Sequence, residues 1–305
     1  MNRILFLILI NFTTVYSQNY IIADAQTKKS IPFVSIVFNS DNGLYTNENG
    51  AFELPSENAD SLSISAMGYT PLKVSTSNLT DTIFLKQEIV ALEDVEISSK
   101  KPSTSLIEFP VLDRLNFSSF PLDKTGAKLT AVLQPKKTLE KTTVLHSITI
   151  YFKKVRERRK YKKELKDIKT IVRVNLYQLK DSLPNEKFYQ SEPFYLNSFK
   201  TDELKLNLTN EHFKLPKAGF AIELEMLGNY NLQEKIFINE KNEMKGLVRP
   251  GLAGNDNHDF QSTTYLSILK NGNITYHSLN SILNRTPNFS SIDKTLSCSI
   301  ELVSY

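Results

Sequence analysis

Leu204-Lys205-Leu206-Asn207-Leu208-Thr209 alternates leucine with a polar residue at every step, and this period of two decides the fold class. Successive side chains of a strand point to opposite faces, so the leucines face a core while Lys205, Asn207 and Thr209 face water. Ser61-Leu62-Ser63-Ile64-Ser65-Ala66 repeats the pattern, as do the apolar series Ile148-Ile150-Phe152, Val172-Val174-Leu176 and Phe220-Ile222-Leu224-Met226. Proline, glycine, asparagine or basic turn residues bound these runs, and helical spacing of apolar residues is scarce. The sequence therefore predicts an all-β protein of short antiparallel strands, joined by hairpins and packed as sandwiches.

Working outward, 305 residues suit two domains and can bury a substantial core. Composition is ordinary for a globular chain, 40% hydrophobic and 23% charged. The clearest break is Ser98-Ser99-Lys100-Lys101-Pro102-Ser103-Thr104-Ser105, which has no apolar residue. The expected organisation is a small domain over 18–98, a linker over 99–122 lying across a surface, and a larger domain over 123–305. No internal repeat is evident.

The first 17 residues read as a signal peptide. Asn2 and Arg3 precede the apolar run Ile4 to Ile10, and Val15-Tyr16-Ser17 suits signal peptidase, with Gln18 opening the mature chain. That run is far short of the ~20 residues a membrane-spanning helix needs. The one cysteine, Cys298, lies far from the position a lipid anchor requires and leaves no intramolecular disulfide. The expectation is an exported, soluble protein, periplasmic or secreted, without a membrane span.

In the small domain an ordered set of motifs carries a resemblance. Ile31-Pro32-Phe33-Val34-Ser35-Ile36 is a strand entered through proline. Thr46-Asn47-Glu48-Asn49-Gly50-Ala51-Phe52-Glu53-Leu54 reads as an Asn-Gly hairpin turn and a strand. Leu62-Ser63-Ile64-Ser65-Ala66-Met67-Gly68-Tyr69, Asp81-Thr82-Ile83-Phe84-Leu85 and Leu92-Glu93-Asp94-Val95-Glu96-Ile97 follow. This order resembles the carboxypeptidase regulatory-like domain, a small transthyretin-like β-sandwich common in exported proteins of the Bacteroidetes. The resemblance implies an accessory module without peptidase residues. In outer-membrane receptors such a domain precedes a plug and a long barrel, for which the remaining residues leave no room.

The larger domain resembles, in general shape, a jelly-roll or galactose-binding-like sandwich. Val172-Arg173-Val174-Asn175-Leu176-Tyr177, Pro184, the strand Leu204 to Leu208, and Leu215-Pro216-Lys217-Ala218-Gly219-Phe220-Ala221-Ile222-Glu223-Leu224-Glu225 carry the likeness.

No catalytic residue or cofactor is implied. A zinc carboxypeptidase needs His-x-x-Glu, and none of His146, His212, His258 and His277 has glutamate three residues on. There is no Gly-x-Ser-x-Gly elbow, phosphate-binding glycine loop or dinucleotide fingerprint. Cys298 falls in the apolar series Leu296, Cys298, Ile300, Leu302 and reads as a core residue. Asp256, His258 and Asp259 in the polar loop after Gly254 could ligate a metal, although asparagine and aspartate also favour plain turns. Glu223 and Glu225 could be offered as a glycosidase pair, but the expected reading is the exposed face of a strand.

Net charge is +4. From Lys153 to Lys169 ten basic residues stand against Glu157, Glu164 and Asp167, so the rest of the mature chain is acidic. This strip is expected to form a long hairpin arm or charged strand ends. Arg156, Arg158, Arg159, Lys160, Lys162 and Lys163 are its candidate contacts for an anionic polymer; alternatively the lysines only guard a strand edge. Tyr161 alone is interleaved, which disfavours nucleic acid. Tryptophan is absent, so glycan stacking would fall to tyrosines such as Tyr189, Tyr195, Tyr230 and Tyr265. Three functions follow in order: a non-enzymatic binding or scaffolding protein of the cell envelope whose partner is an envelope protein or surface glycan; a glycan- or anionic-polymer-binding protein using the larger domain and its basic strip; and a hydrolase with an unfamiliar site.

Overall fold

A computed structural model of the chain describes residues 19–39, 42–54, 59–88, 102–109, 118–122, 124–137, 142–154, 166–238, 248–254, 257–270, 273–283 and 294–304. The expected signal peptide lies outside them. The protein is nearly all β and divides into two compact units, Met1–Phe38 with Tyr45–Ile89, and Asn39–Leu44 with Val90–Tyr305. No helix of the described residues is long and apolar enough to cross a membrane.

The first seven strands are β1 (Asn19–Asp24), β2 (Ser35–Asn39), β3 (Asn42–Tyr45), β4 (Ala51–Glu53), β5 (Ser61–Ser65), β6 (Leu72–Ser75) and β7 (Thr82–Leu85). They form two sheets, of order β4-β1-β7 and β3-β2-β5-β6. The alternation read from residues 61–65 is kept: Leu62 and Ile64 are buried, while Ser63 and Ser65 are exposed. Ile22, Val34, Ile36 and Leu85 are buried with them, and Tyr20 stacks on Phe52 with ring centroids 5.4 Å apart. One pairing, β1 with β7, is parallel, running from Ile21 opposite Thr82 to Asp24 opposite Leu85.

The expected Asn-Gly hairpin is instead a crossing between sheets, since β3 belongs to one and β4 to the other. Buried Thr46 pins the crossing: its backbone N–H donates to the Val34 carbonyl at 3.0 Å, and its hydroxyl accepts from Val34 N–H at 2.9 Å. Asn47 Oδ1 then accepts from the N–H groups of Asn49 and Ala51, an Asx-type turn that competes with hairpin geometry. Gly50 sits at φ +73°, where a Cβ would lie 2.9 Å from the Ile22 and Ile31 carbonyl oxygens.

The second unit carries β8 (Ser103–Phe109), β9 (Ser118–Ser119), β10 (Lys128–Pro135), β11 (Thr143–Tyr151), β12 (Ile168–Lys180), β13 (Leu183–Gln190), β14 (Phe194–Leu196), β15 (Glu203–Asn207), β16 (Phe220–Asn231), β17 (Ile236–Ile238), β18 (Gly251–Gly254), β19 (Phe260–Lys270), β20 (Asn273–Ser278), the short helix α1 (Leu279–Leu283), β21 (Lys294–Leu296) and β22 (Cys298–Ser304). An eight-stranded sheet runs β13-β12-β16-β10-β19-β20, with β14 added to β12 and β17 to β16. A four-stranded sheet runs β15-β11-β22-β8, and β21-β18-β9 make a small third sheet. One apolar core joins the two large sheets: Leu129, Leu133, Val174, Leu176, Ile222 and Leu224 come from one; Ile148, Ile150, Leu204, Leu206 and Ile300 come from the other.

Two expectations fail here. The segment given to a linker over 99–122 contributes β8 and β9. β8 pairs along β22 from Ser103 opposite Ser304 to Phe109 opposite Cys298, and Ile107 and Phe109 enter the core. An edge strand needs only one buried face, so a polar start does not exclude it. The strands that flank the basic strip, β11 and β12, do not pair as a hairpin either. β11 pairs with β15 and β22 in the four-stranded sheet, whereas β12 pairs with β13, β14 and β16 in the other, so the basic strip spans a crossover between sheets.

Candidate functional site

The outward face of the eight-stranded sheet carries charge where an apolar or solvated face would be ordinary. β16 must enter tightly to bring this face together. Gly219, at φ +94°, lies so close to β10 that a Cβ would come within 2.1 Å of the Leu133 carbonyl oxygen. From there β16 buries Phe220, Ile222 and Leu224 in the core and turns Ala221, Glu223 and Glu225 to the other face.

Register then does the rest. Glu225 lies opposite Arg173 on β12 and Lys128 on β10, and Lys128 lies opposite Ser267 on β19. In the next row Glu223 lies opposite Asn175 and Thr130, and Thr130 opposite Tyr265. A third row is apolar, with Tyr177, Ala221 and Val132 in one cluster that Tyr265 and Leu179 flank. Directly opposed side chains on one face are close enough to interact, so these rows become a network.

Both carboxylates are fully buried, Glu223 at 0% and Glu225 at 1% exposure, which corrects the expectation of a solvated strand face. Three of the four oxygens are held closely and the fourth by one long contact. Glu225 Oε1 meets Lys128 Nζ at 2.9 Å; Glu225 Oε2 accepts from Arg173 Nε at 2.5 Å and from Asn175 Nδ2 at 2.9 Å. Glu223 Oε1 accepts from Asn175 Nδ2 and the Tyr177 hydroxyl, each at 2.9 Å, and lies 3.5 Å from Lys128 Nζ. Thr130 Oγ1 donates to Glu223 Oε2 at 3.4 Å.

Electrostatics follow from this geometry. Burial alone would push the Glu225 carboxyl up, but Lys128, Arg173 and Lys187 hold it well below the usual carboxylate range. Burial and the Glu223 charge keep the Tyr177 phenol protonated far above its ordinary range, so it stays a donor. Lys187, whose ammonium lies 5.7 Å from the Tyr177 ring centroid, is pulled down to about 8 by burial. Burial and the charge of Glu223 push Tyr276 up to about 12, and its ring meets Tyr265 edge-on at 6.1 Å between centroids. Lys128 and Arg173 offset the two glutamates charge for charge. The arrangement is a buried brace across three strands: three of the four carboxylate oxygens are closely held, the fourth has the long Thr130 contact, and Asn175 Oδ1 is buried without a partner.

The residues singled out in the sequence are scattered. Arg156, Arg158, Arg159, Lys160, Lys162 and Lys163 lie outside the described residues. At the ends of the strip, Lys154 pairs with Asp202 at 2.7 Å and Lys166 with Asp167 at 3.7 Å. Asp256 is likewise outside the described residues. His258 and Asp259 are exposed in a turn where Asn257 Oδ1 accepts from the N–H groups of Asp259 and Phe260, and among the described residues no three His, Cys, Asp or Glu side chains gather to hold a metal ion. Cys298 is buried in the core, where burial pushes its thiol up to about 12. Tyr189 packs edge-on against Phe213, and Tyr195 against Tyr230, so the tyrosines form separate pairs. Sequence reasoning missed the brace, yet a signal existed: acids on β16 and bases on β10 and β12 share the period of two on faces of otherwise apolar strands.

The comparisons with known proteins are sparse. No curated protein matches the chain. Among solved structures, "The crystal structure of the cysteine protease and lectin-like domains of Cwp84, a surface layer associated protein of Clostridium difficile" aligns with 86% of this chain at 10% identity and a TM-score of 0.35. The alignment spans about half of that structure, 48% of its length. A likeness of that size decides neither fold nor activity. The family comparison is firmer, and it falls on the motifs of the first unit: residues 21–97, about a quarter of the chain, match the model of the CarboxypepD_reg-like domain.

Proposed function

We propose that this chain is an exported, non-enzymatic protein of the cell envelope that works by binding or scaffolding, with the CarboxypepD_reg-like domain as its accessory module. The burial of Glu223 and Glu225 among counter-charges carries the reading. A pair of acids that works on glycosidic bonds needs one carboxyl to deliver a proton and another oxygen free to attack or to activate water. Here both carboxyls are buried, Lys128, Arg173, Asn175 and Tyr177 hold three of the four oxygens, and Thr130 reaches the fourth at 3.4 Å. The buried thiol of Cys298 supports the same reading, because a nucleophilic cysteine needs access and a lowered pKa. Export is supported by the sequence pattern of residues 2–17.

The test has two arms. Expressed with its own N-terminus in a Gram-negative host, the protein is expected in the periplasm or medium, starting at Gln18. The purified chain is expected to co-sediment with envelope fractions without releasing product from peptidoglycan, glycan or peptide substrates. Turnover of any such substrate that Glu223→Gln abolishes, with the fold intact by circular dichroism, would overturn the reading.

A second reading, attachment to an anionic polymer, is favoured by the ten basic residues between Lys153 and Lys169.

A further inference from the structure

The four-stranded sheet of the second unit ends on one side at β15 and on the other at β8. β15 turns the charged side chains of Glu203 and Lys205 outward, a usual guard against pairing with another chain. Between Ser103 and Phe109, β8 has no such guard: it holds no lysine or proline, and its register along β22 runs without a shift. Thr104, Ile107 and Phe109 are strand-forming residue types. Leu106 on its outward face is 58% exposed, more than any other large apolar side chain among the described residues.

Backbone parity shows which groups of β8 are open. In an antiparallel ladder a residue turns its N–H and C=O to the same side, and successive residues alternate. Tyr151 N–H donates to the Ser297 carbonyl at 3.1 Å, so Ser299 and Glu301 serve β11, while Cys298, Ile300 and Leu302 serve β8. Opposite those three stand Phe109, Ile107 and Ser105. Thr104, Leu106 and Glu108 therefore turn their N–H and C=O groups away from β22. Asn257 Nδ2 donates to the Glu108 carbonyl at 3.1 Å, and Pro102 closes the other end of the run. Among the described residues no other backbone hydrogen bond reaches this edge.

An open strand edge is a template for another strand, and a strand that pairs antiparallel with its own copy does so about a two-fold axis. Leu106 lies midway between Thr104 and Glu108 in the open run. We propose that β8 pairs antiparallel with β8 of a second copy, Leu106 opposite Leu106, so that the two four-stranded sheets become one. On either side of the axis Thr104 then stands opposite Glu108 of the other copy, and each opposed pair exchanges its N–H···O bonds. A carbonyl accepts twice, so the Asn257 bond at Glu108 can persist. Glu108, the one ionised side chain of β8, meets a hydroxyl rather than its own copy, and each Leu106 covers the other. The same pairing of β15 about Lys205 would oppose like charges. A joint of one strand pair is small beside a standard interface, so the expected dimer is weak and concentration-dependent. It does not depend on what the protein binds.

Sedimentation equilibrium of the mature chain across the micromolar range tests the pairing. Wild type is expected to pass from monomer to dimer, and Leu106→Lys to weaken the dimer by about tenfold or more, because like charges then meet at the axis. Leu106→Glu should do the same. An equal mixture of these two variants should recover a dimer at least as tight as wild type, which a dimer through another surface would not show. Leu106→Pro should leave a monomer that melts close to wild type, since the N–H it removes faces away from β22. If that variant fails to fold, the lysine and glutamate changes, at an exposed position, carry the comparison. A wild-type chain that stays monomeric throughout, or a dimer that Leu106→Lys leaves unchanged, overturns the proposal. A monomeric wild type whose envelope co-sedimentation is lost in Leu106→Lys also overturns it and gives the edge to a strand of an envelope protein.

Discussion

The two units each bury acid, and they neutralise it by opposite means. In the first, Asp24 at the end of β1 is 3% exposed and is held only by neutral groups. The N–H groups of Thr27 and Gln26 donate to Oδ1 at 2.7 and 2.8 Å, while Gln87 Nε2 and the Tyr69 hydroxyl donate to Oδ2 at 2.6 and 3.0 Å. In the second, Glu223 and Glu225 share one face of β16 and need Lys128 and Arg173 beside them. One carboxylate can be solvated by oriented dipoles from a turn. Two carboxylates held by one amide repel each other, and only full counter-charges offset that repulsion in a low-dielectric setting.

The largest expected effect comes from breaking the second arrangement on one side. Arg173→Met leaves Glu225 without its closest cation and should destabilise the protein by about 3–5 kcal/mol in urea denaturation. Replacing both partners, Arg173→Met with Glu225→Met, should cost clearly less than the two single changes added, because no buried charge is then left alone. Strict additivity would show that the brace is not an energetic unit.

A smaller effect is expected at Asp24, since its donors are neutral and two come from its own turn. Asp24→Asn should loosen the first unit alone, seen as faster amide exchange around residues 22–31 while exchange in β12 and β16 stays unchanged. Acid sharpens the same contrast. Hydrogen bonds from Thr27, Gln87, Gln26 and Tyr69 hold the Asp24 carboxyl well below its ordinary value, and Glu225 is also held low. A depressed carboxylate contributes stability that is complete above its unfolded value of about 4 and is lost as pH falls through its folded value. Both units should therefore lose the stability due to these carboxylates on the acid side, and Asp24→Asn should remove the share belonging to the first.

Lys187 has the opposite sign. Its folded value is about 8 and its ordinary value 10.5. Between those limits the unfolded chain binds more protons at this site, so the Lys187 contribution to stability should rise from pH 8 to 10.5, against the fall that the raised Cys298 thiol and the Tyr177 and Tyr276 phenols impose in the upper part of that range. Lys187→Met should stabilise the protein modestly at neutral pH, and its advantage over wild type should shrink as pH is raised from 8 to 10.5, as paired thermal melts would show. The smallest effect concerns Cys298. Its buried thiol should resist a disulfide reagent at pH 8 in the folded protein and react fully in denaturant. Rapid reaction in the folded state would mean that the β22 edge of the core opens.

How far the sequence could be read depended on what each residue reports. Period-two spacing gave β5, β15 and β22 and put Cys298 on an apolar face, because strand geometry fixes which way a side chain points. The same spacing does not name a strand's neighbour. Thr46–Gly50 therefore looked like a hairpin although it carries the chain from one sheet to the other, and the basic strip read as a hairpin arm or as charged strand ends although β11 and β12 belong to different sheets. β8 hid behind Ser103-Thr104-Ser105, whose backbone pairs with β22 whatever their polarity.

By itself, then, the sequence determined that the protein is all-β, where its core faces lie, and that residues 21–97 carry the motifs of a regulatory-like domain. Only the tertiary structure decided that Glu223 and Glu225 are buried and occupied. Lys128 is 95 residues from Glu223, and Arg173 is 52 residues from Glu225. The register of β10, β16 and β12 places them side by side. Alternation is a local property of one strand, whereas a charge network belongs to the pairing between strands.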